Sequence, residues 1–145
     1  MAFTVRRLRE ADVEALKEID WHSFWPDDQY DDAYYGRFAL DSDLRTFVAI
    51  SDSGEIAGYA LLDTGMSPAR LRSLAVRPNY RGAGCAATII RNVLSAFPGD
   101  IDLFVEPENA NAIRLYQRFG FTFATDSDEM PTRKRMARNG SVTNL

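Results

Sequence analysis

The chain of 145 residues holds one cysteine, Cys85, and one histidine, His22. A single thiol can form no disulfide within the chain and cannot build a thiolate zinc cluster, so no metal is expected. That usage fits a reducing, intracellular compartment. No stretch approaches the roughly 20 apolar residues that a membrane-spanning helix needs. The opening residues, MAFTVRRLRE, lack the long apolar core of a secretory signal. The expected location is therefore cytoplasmic, with no membrane partner. Basic residues are the minority, 17 Lys and Arg against 21 Asp and Glu, for a formal net charge of −4. Nucleic-acid binders ordinarily carry a basic face, so no nucleic-acid partner is expected. With 46% hydrophobic and 26% charged residues, what remains is a globular composition long enough to bury one core.

The hydrophobic period changes along the chain. FTVRRL (3–8) alternates as a strand, and EADVEALKEIDWHSF reads as a helix with Val13, Leu16, Ile19 and Phe24 on one side. Pro26 ends it, and a second helix is expected from about Asp28 to Leu40. LRTFVAIS (44–51) and EIAGYALLD (55–63) are strand-like and joined by Asp52-Ser53-Gly54, a hairpin turn. ARLRSLAV (69–76) is a further strand. A helix follows from about Gly82 to Phe97, with Ile89, Ile90, Val93, Leu94 and Phe97 as its apolar face. IDLFVE (101–106) is the next strand. Asn109 caps a helix carrying Ala112, Leu115, Tyr116 and Phe119, and Gly120 stops it. FTFAT (121–125) and RKRMA (133–137) close the series as a hairpin. The order β α α β β β α β α β β predicts an α/β (mixed α+β) fold with helices on both faces of a mixed sheet. One domain is expected over 1–138, with 139–145 a flexible tail.

The stretch VRPNYRGAGCAATII (76–90) runs from a strand through a turn into a helix. Amides at a helix N-terminus have no intrahelical partner and favour an anion. Glycine lets a phosphate approach the backbone, and Arg81 adds a fork of donors. The same residues also suit a tight strand-to-helix turn with small residues for packing. The pattern is neither G-x-G-x-x-G nor the P-loop, since the lysine is absent.

Two segments together carry a resemblance. Arg81-Gly82-Ala83-Gly84-Cys85-Ala86 resembles the R/Q-x-x-G-x-G/A loop of the GNAT superfamily of acyl-CoA-dependent N-acyltransferases. NANAIRLYQRFGF (109–121) resembles that family's N-x-x-A-x-x-x-Y-x-x-x-G-F, with Asn109, Ala112, Tyr116, Gly120 and Phe121 in register. The motif match spans 70–123. The resemblance implies a mostly antiparallel sheet of about six or seven strands with about four helices. It also implies a V-shaped splay between the strands at 69–76 and 101–106, and a bulge in the first of them. It implies acetyl-CoA or another acyl-CoA as donor. The pyrophosphate would rest on residues 81–86, and the pantetheine arm would lie along Leu74, Ala75 and Val76. An amide of Ala75 or Val76 would polarise the thioester carbonyl. Asn109 is a position that often contacts the cofactor. Cys85 stands where an aliphatic residue is common, which reads as packing.

The activity implied is transfer of an acetyl group to a primary amine of a small molecule or peptide, by direct attack in a ternary complex. The rival readings are a non-catalytic acyl-CoA sensor and an α/β domain whose glycine loop is only a turn. Tyr116 matches the family tyrosine that protonates the departing thiolate. By periodicity alone it reads as a core tyrosine, and the motif register favours the functional role instead. The base is open. Phe104 occupies the strand position where some members carry a carboxylate, which leaves Glu106, with Glu108, Asp63, His22 and a water relay through backbone groups as the alternatives. WHSFWPDDQYDDAYYGRF (21–38) interleaves aromatics with Asp27, Asp28, Asp31 and Asp32. That mixture suits a cationic amine, and equally an acidic helix start packed on the sheet. A monomer or homodimer is expected.

Overall fold

The computed structural model describes residues 2–23, 32–124 and 132–140, and of residues 21–23, 32–34 and 39 only the backbone. The elements in chain order are β1 (Phe3–Arg7), α1 (Val13–Ser23), α2 (Asp32–Leu40), β2 (Leu44–Ser51), β3 (Ile56–Asp63) and β4 (Ala69–Val76). They continue with α3 (Cys85–Ala96), β5 (Ile101–Val105), α4 (Ala110–Arg118), β6 (Thr122–Phe123) and β7 (Lys134–Arg138). The strands form one sheet in the order β1-β2-β3-β4-β5-β7-β6. β4 and β5 pair in parallel, and the other pairs are antiparallel. This is the mixed, mostly antiparallel sheet expected, with four α-helices among the described residues.

Local chemistry explains most element ends. The β2–β3 turn closes through Gly54 N–H to the Ser51 carbonyl (2.9 Å) and Ser51 N–H to the Glu55 carbonyl (2.8 Å). Gly54 sits at φ +87°, where a side chain would strain the backbone. Asn109 caps α4 by accepting from the Ala112 amide at 3.2 Å. At the other end Phe121 N–H reaches the Tyr116 carbonyl and Gly120 N–H the Gln117 carbonyl. With Gly120 at φ +91°, this is a Schellman stop.

Alternation along the strands divides the core in two. On one face α1 and α2 bring Leu16, Ile19, Tyr35 and Phe38 onto Val48, Tyr59, Leu61 and Ala75. On the other, Ile89, Ile90 and Val93 of α3 and Tyr116 of α4 pack with Phe47, Ala60, Leu62, Leu71 and Leu103. The helices therefore lie on both faces.

Several boundaries differ from expectation. The α1 region begins with a 3-10 turn at Glu10–Asp12. There the Asp12 carboxylate accepts from the Arg9 amide (2.7 Å) and from Arg6 (2.7 and 3.0 Å). α3 starts at Cys85 rather than Gly82, because Gly82 and Gly84 adopt φ of +80° and +85°, which no α-helix accommodates. β6 is two residues long, and β7 runs one residue later than expected. β7 lies between β5 and β6, with five residues paired to β5 and two to β6. The described chain continues past residue 138: Gly140 is buried and its amide donates to Asp100 Oδ1 at 2.8 Å. The expected start of α2 near Asp28 lies outside the described residues.

Candidate active site

β4 and β5 part company almost at once. Their register contains two pairs, Ala69 with Ile101 and Arg70 with Asp102, although β4 runs on to Val76 and β5 to Val105. Beyond Arg70 the facing edges have no rung, so a V-shaped gap opens toward the C-terminal ends of both strands. Ionic contacts hold its vertex. Asp102, 1% exposed, accepts from Arg70 Nε (3.0 Å), Arg70 Nη2 (3.1 Å) and Arg135 Nε (2.8 Å). Burial works to raise the Asp102 carboxyl, but the two arginines outweigh it and hold it below its ordinary value. The Arg70 guanidinium also lies 4.7 Å from the ring centre of Phe104. The residue that replaces the family carboxylate is thus a platform for an arginine.

β4 carries the bulge. Leu61 faces Ser73 while Leu62 faces Leu71, leaving Arg72 unopposed. Farther along, the Arg77 amide donates to the Ala57 carbonyl at 2.7 Å. Backbone alternation then turns the Ala75 amide toward β3 and those of Leu74 and Val76 toward the gap. Between the two candidate amides for a thioester oxygen, Val76 is the one with a free edge.

At the open end of β4 the chain makes a 3-10 turn at Pro78–Tyr80 and enters the glycine loop. Neither Gly82 nor Gly84 has an atom within 4 Å of where a Cβ would stand. The first backbone bond of α3 runs from the Thr88 amide to the Gly84 carbonyl at 3.0 Å. Among the described residues, the amides of Gly82, Ala83, Gly84, Cys85, Ala86 and Ala87 donate to no acceptor. Arg81 is exposed, and its Nε donates to the Val76 carbonyl at 3.2 Å. That bond ties the guanidinium to the mouth of the gap and leaves its two terminal nitrogens available. Cys85 contributes its amide only. Its side chain is buried, and burial pushes the thiol up to about 11.

Tyr116 lies on the buried side of α4, 9% exposed, with its ring edge-on to Phe121 at 5.8 Å. Burial pushes the phenol up to about 12. Its hydroxyl makes no hydrogen bond among the described residues. Glu106 is exposed just past β5, its carbonyl accepting from the Asn109 amide at 3.0 Å. Asp63 is occupied: it accepts from Arg72 Nε (2.7 Å) and the Gly65 amide (2.9 Å). Burial works to raise it, but these bonds hold it below its ordinary value. The side chains of Trp21, His22 and Asp32, and all of Trp25, Asp27, Asp28 and Asp31, lie outside the described residues.

One cluster escaped the sequence reading. Asp20 of α1 is 1% exposed and accepts from Tyr35 Oη (2.5 Å) and Tyr59 Oη (2.7 Å). Burial, only partly offset by the two hydroxyls, raises its carboxyl. Burial, then the neighbouring carboxylate, pushes the Tyr59 phenol well above its ordinary value. The signal was present: Asp20 lies four residues after Leu16, on the helix stripe that the apolar residues define.

Known proteins resemble this chain in sequence and in fold. The model of the acetyltransferase (GNAT) family matches residues 11–121. The streptothricin acetyltransferase of Streptomyces lavendulae is 32% identical over 136 residues, covering 84% of this chain and 72% of that protein. A putative [ribosomal protein bS18]-alanine N-acetyltransferase of Bacillus subtilis (strain 168) is 28% identical over 120 residues, covering 80% and 78%. Among solved structures, the PaiA N-acetyltransferase of Thermoplasma acidophilum in complex with coenzyme A superposes with a TM-score of 0.73 at 19% identity, covering 96% of this chain and 99% of that one.

Proposed function

The chain belongs to the GNAT acetyltransferase family, and from that premise we propose that it moves an acetyl group from acetyl-CoA to a primary amine by direct attack, with both substrates bound. Acetyl transfer to an amine is the activity its relatives support, with an acyl-CoA as co-substrate. The observation that carries the finer reading is the open strand edge of β4 leading to six consecutive unpartnered amides.

The residues present fit the donor. An anion with two phosphates needs several donors that cost nothing to free, and the amides of Gly82 to Ala87 are already without partners. Arg81 adds a charge-assisted fork. The edge of β4 at Leu74 and Val76 offers an amide-bearing arm the bonds of an added strand. Cofactor contact through Ala75 is limited to its side chain, because its backbone faces β3. The Val76 amide is suited to polarise the thioester carbonyl. Tyr116, neutral at every working pH, is suited to give its proton to the departing sulfur. Asn109 keeps its amide NH2 free while its oxygen caps α4.

The acceptor amine arrives as an ammonium and must lose a proton before it attacks. Glu106, at the open end of β5, is the solvent-side candidate for that proton, tested by Glu106→Gln. The relatives' names give the acceptor panel: streptothricin and a peptide beginning with the alanine of bS18. The test is thiol release from acetyl-CoA with each, alongside calorimetric binding of coenzyme A. Binding with turnover of one amine is expected. Binding without turnover of any amine would favour a sensor, and absence of binding would remove the donor site.

A further inference from the structure

Asp20 is an expensive residue to bury. No cation pairs with it among the described residues, and both tyrosines that bond it belong to the apolar cluster of Leu16, Ile19, Val48, Leu61 and Ala75. A buried carboxylate without a counter-charge costs stability that an apolar side chain of similar size would not. The groups that face it are hydroxyls: Tyr35 from α2 and Tyr59 from β3. Glu18, two residues earlier, instead bonds Arg77.

The hydroxyls form a path. Tyr59 faces Ala75 and Leu61 faces Ser73 across the β3–β4 ladder, so Tyr59 and Ser73 are diagonal neighbours on one face of the sheet. The Ser73 side chain therefore stands beside Tyr59 on the face that carries Asp20. Ser73 is half-buried and follows the bulge residue Arg72 on the strand that lines the gap. A line of exchangeable protons thus runs from the middle of β4 to a sealed carboxylate.

We propose that Asp20 is the proton acceptor of the transfer, reached from the amine through Ser73 and Tyr59. The inference rests on the amine-acceptor reading given above. In the step, an N–H bond of the acceptor ammonium breaks toward Ser73 Oγ. The Ser73 proton passes to Tyr59 Oη, and the Tyr59 proton passes to Asp20 Oδ1. Both hydroxyls end with one proton each, the amine is neutral with its lone pair free, and Asp20 is a neutral carboxylic acid. The transfer removes the buried negative charge from the apolar cluster of α1 and α2. After product leaves, the reverse sequence returns the proton to water. Tyr35 donates to the other carboxylate oxygen throughout and holds its orientation.

The test compares kcat/KM against pH for the native chain, Asp20→Asn, Tyr59→Phe, Ser73→Ala, Ser73→Thr and Glu106→Gln. The acceptors are the amine found in the panel and hydroxylamine, which is already neutral at pH 7. The expected result is a loss on the order of a hundredfold at pH 7 for Asp20→Asn and Ser73→Ala with the amine. That rate should recover by about tenfold for each unit of pH as the amine ionises unaided. Little loss is expected with hydroxylamine, coenzyme A should bind as tightly as to the native chain, and Ser73→Thr should restore most of what Ser73→Ala loses. Tyr59→Phe cuts the relay while leaving Tyr35 on Asp20, which covers the case in which Asp20→Asn does not fold. A native pH profile in Asp20→Asn or Tyr59→Phe would overturn the relay. So would equal losses with both acceptors, or the same slope produced by Glu106→Gln instead. No turnover of any amine by the native chain would remove the acceptor reading and the relay together, whereas turnover with an unchanged profile removes the relay alone.

Discussion

Arg81→Glu separates binding from folding, because the side chain is exposed and makes one hydrogen bond among the described residues, to the Val76 carbonyl. Losing that neutral acceptor costs at most about 1 kcal/mol of stability. Binding suffers more. Removing a charge-assisted bond to a phosphate costs about 1.5–3 kcal/mol. Placing a carboxylate about 4 Å from the phosphate adds roughly 1 kcal/mol of repulsion in water. The sum, about 2.5–4 kcal/mol, corresponds to a hundredfold to thousandfold weaker coenzyme A. Arg81→Ala, which lacks the repulsion, should lie about fivefold above it in affinity. Titration calorimetry with coenzyme A and with pantetheine is the assay, since pantetheine has no pyrophosphate. Coenzyme A should lose affinity and pantetheine should not, and the difference should shrink as salt screens the exposed charges. Equal affinity of native and variant chains for coenzyme A, or an equal loss for both ligands, would refute the loop assignment.

Other perturbations have equally definite outcomes. Gly84→Ala should destabilise the chain by about 1–2 kcal/mol, through left-handed backbone strain alone, because the space around it is open; denaturant unfolding measures this. Tyr116→Phe should slow turnover by about a hundredfold with stability and coenzyme A affinity near native, since the hydroxyl has no bond to lose; native activity would remove it as the acid. Cys85 should resist iodoacetamide at pH 8 in the folded chain and react on unfolding, because its thiol is buried and pushed up to about 11. Asp102→Asn should cost about 3 kcal/mol by removing the buried carboxylate that accepts from two half-buried guanidinium groups. The Asp102 carboxyl is held below its unfolded value, so its contribution is present above the unfolded pKa, near 4. It is lost as the pH falls through the lower folded value, and acid titration of native and Asn chains should converge there.

Features that depend on neighbours in the chain were legible without coordinates. The strand Ala69–Val76, the Asn109 cap, the Gly120 stop and the hairpin at Gly54 follow from side-chain period, capping oxygens and glycine freedom, each acting over four or five residues. The glycine loop was legible as a place for an anion. Its partner motif on α4 was legible through the resemblance to the GNAT family, not from spacing. The length of the helix after it was not, since the left-handed turns at Gly82 and Gly84 delay its start by three residues.

The gap and the proton path were a different matter. Where β4 and β5 separate depends on the Arg70–Asp102–Arg135 contact, which joins residues over 30 apart in the chain. β7 lies beside β5 through five pairs that join residues some 30 positions apart, which no local pattern contains. Asp20 meets Tyr59 across 39 residues, and its helix stripe showed only that a carboxylate would face inward. Sequence by itself determined which segments are strands and helices and where a phosphate would be welcome, because those depend on local period and unpaired amides. Tertiary structure alone decided which edges stay unpaired and which buried carboxylate gains hydroxyl partners, because both are settled by contacts between distant segments competing for the same space.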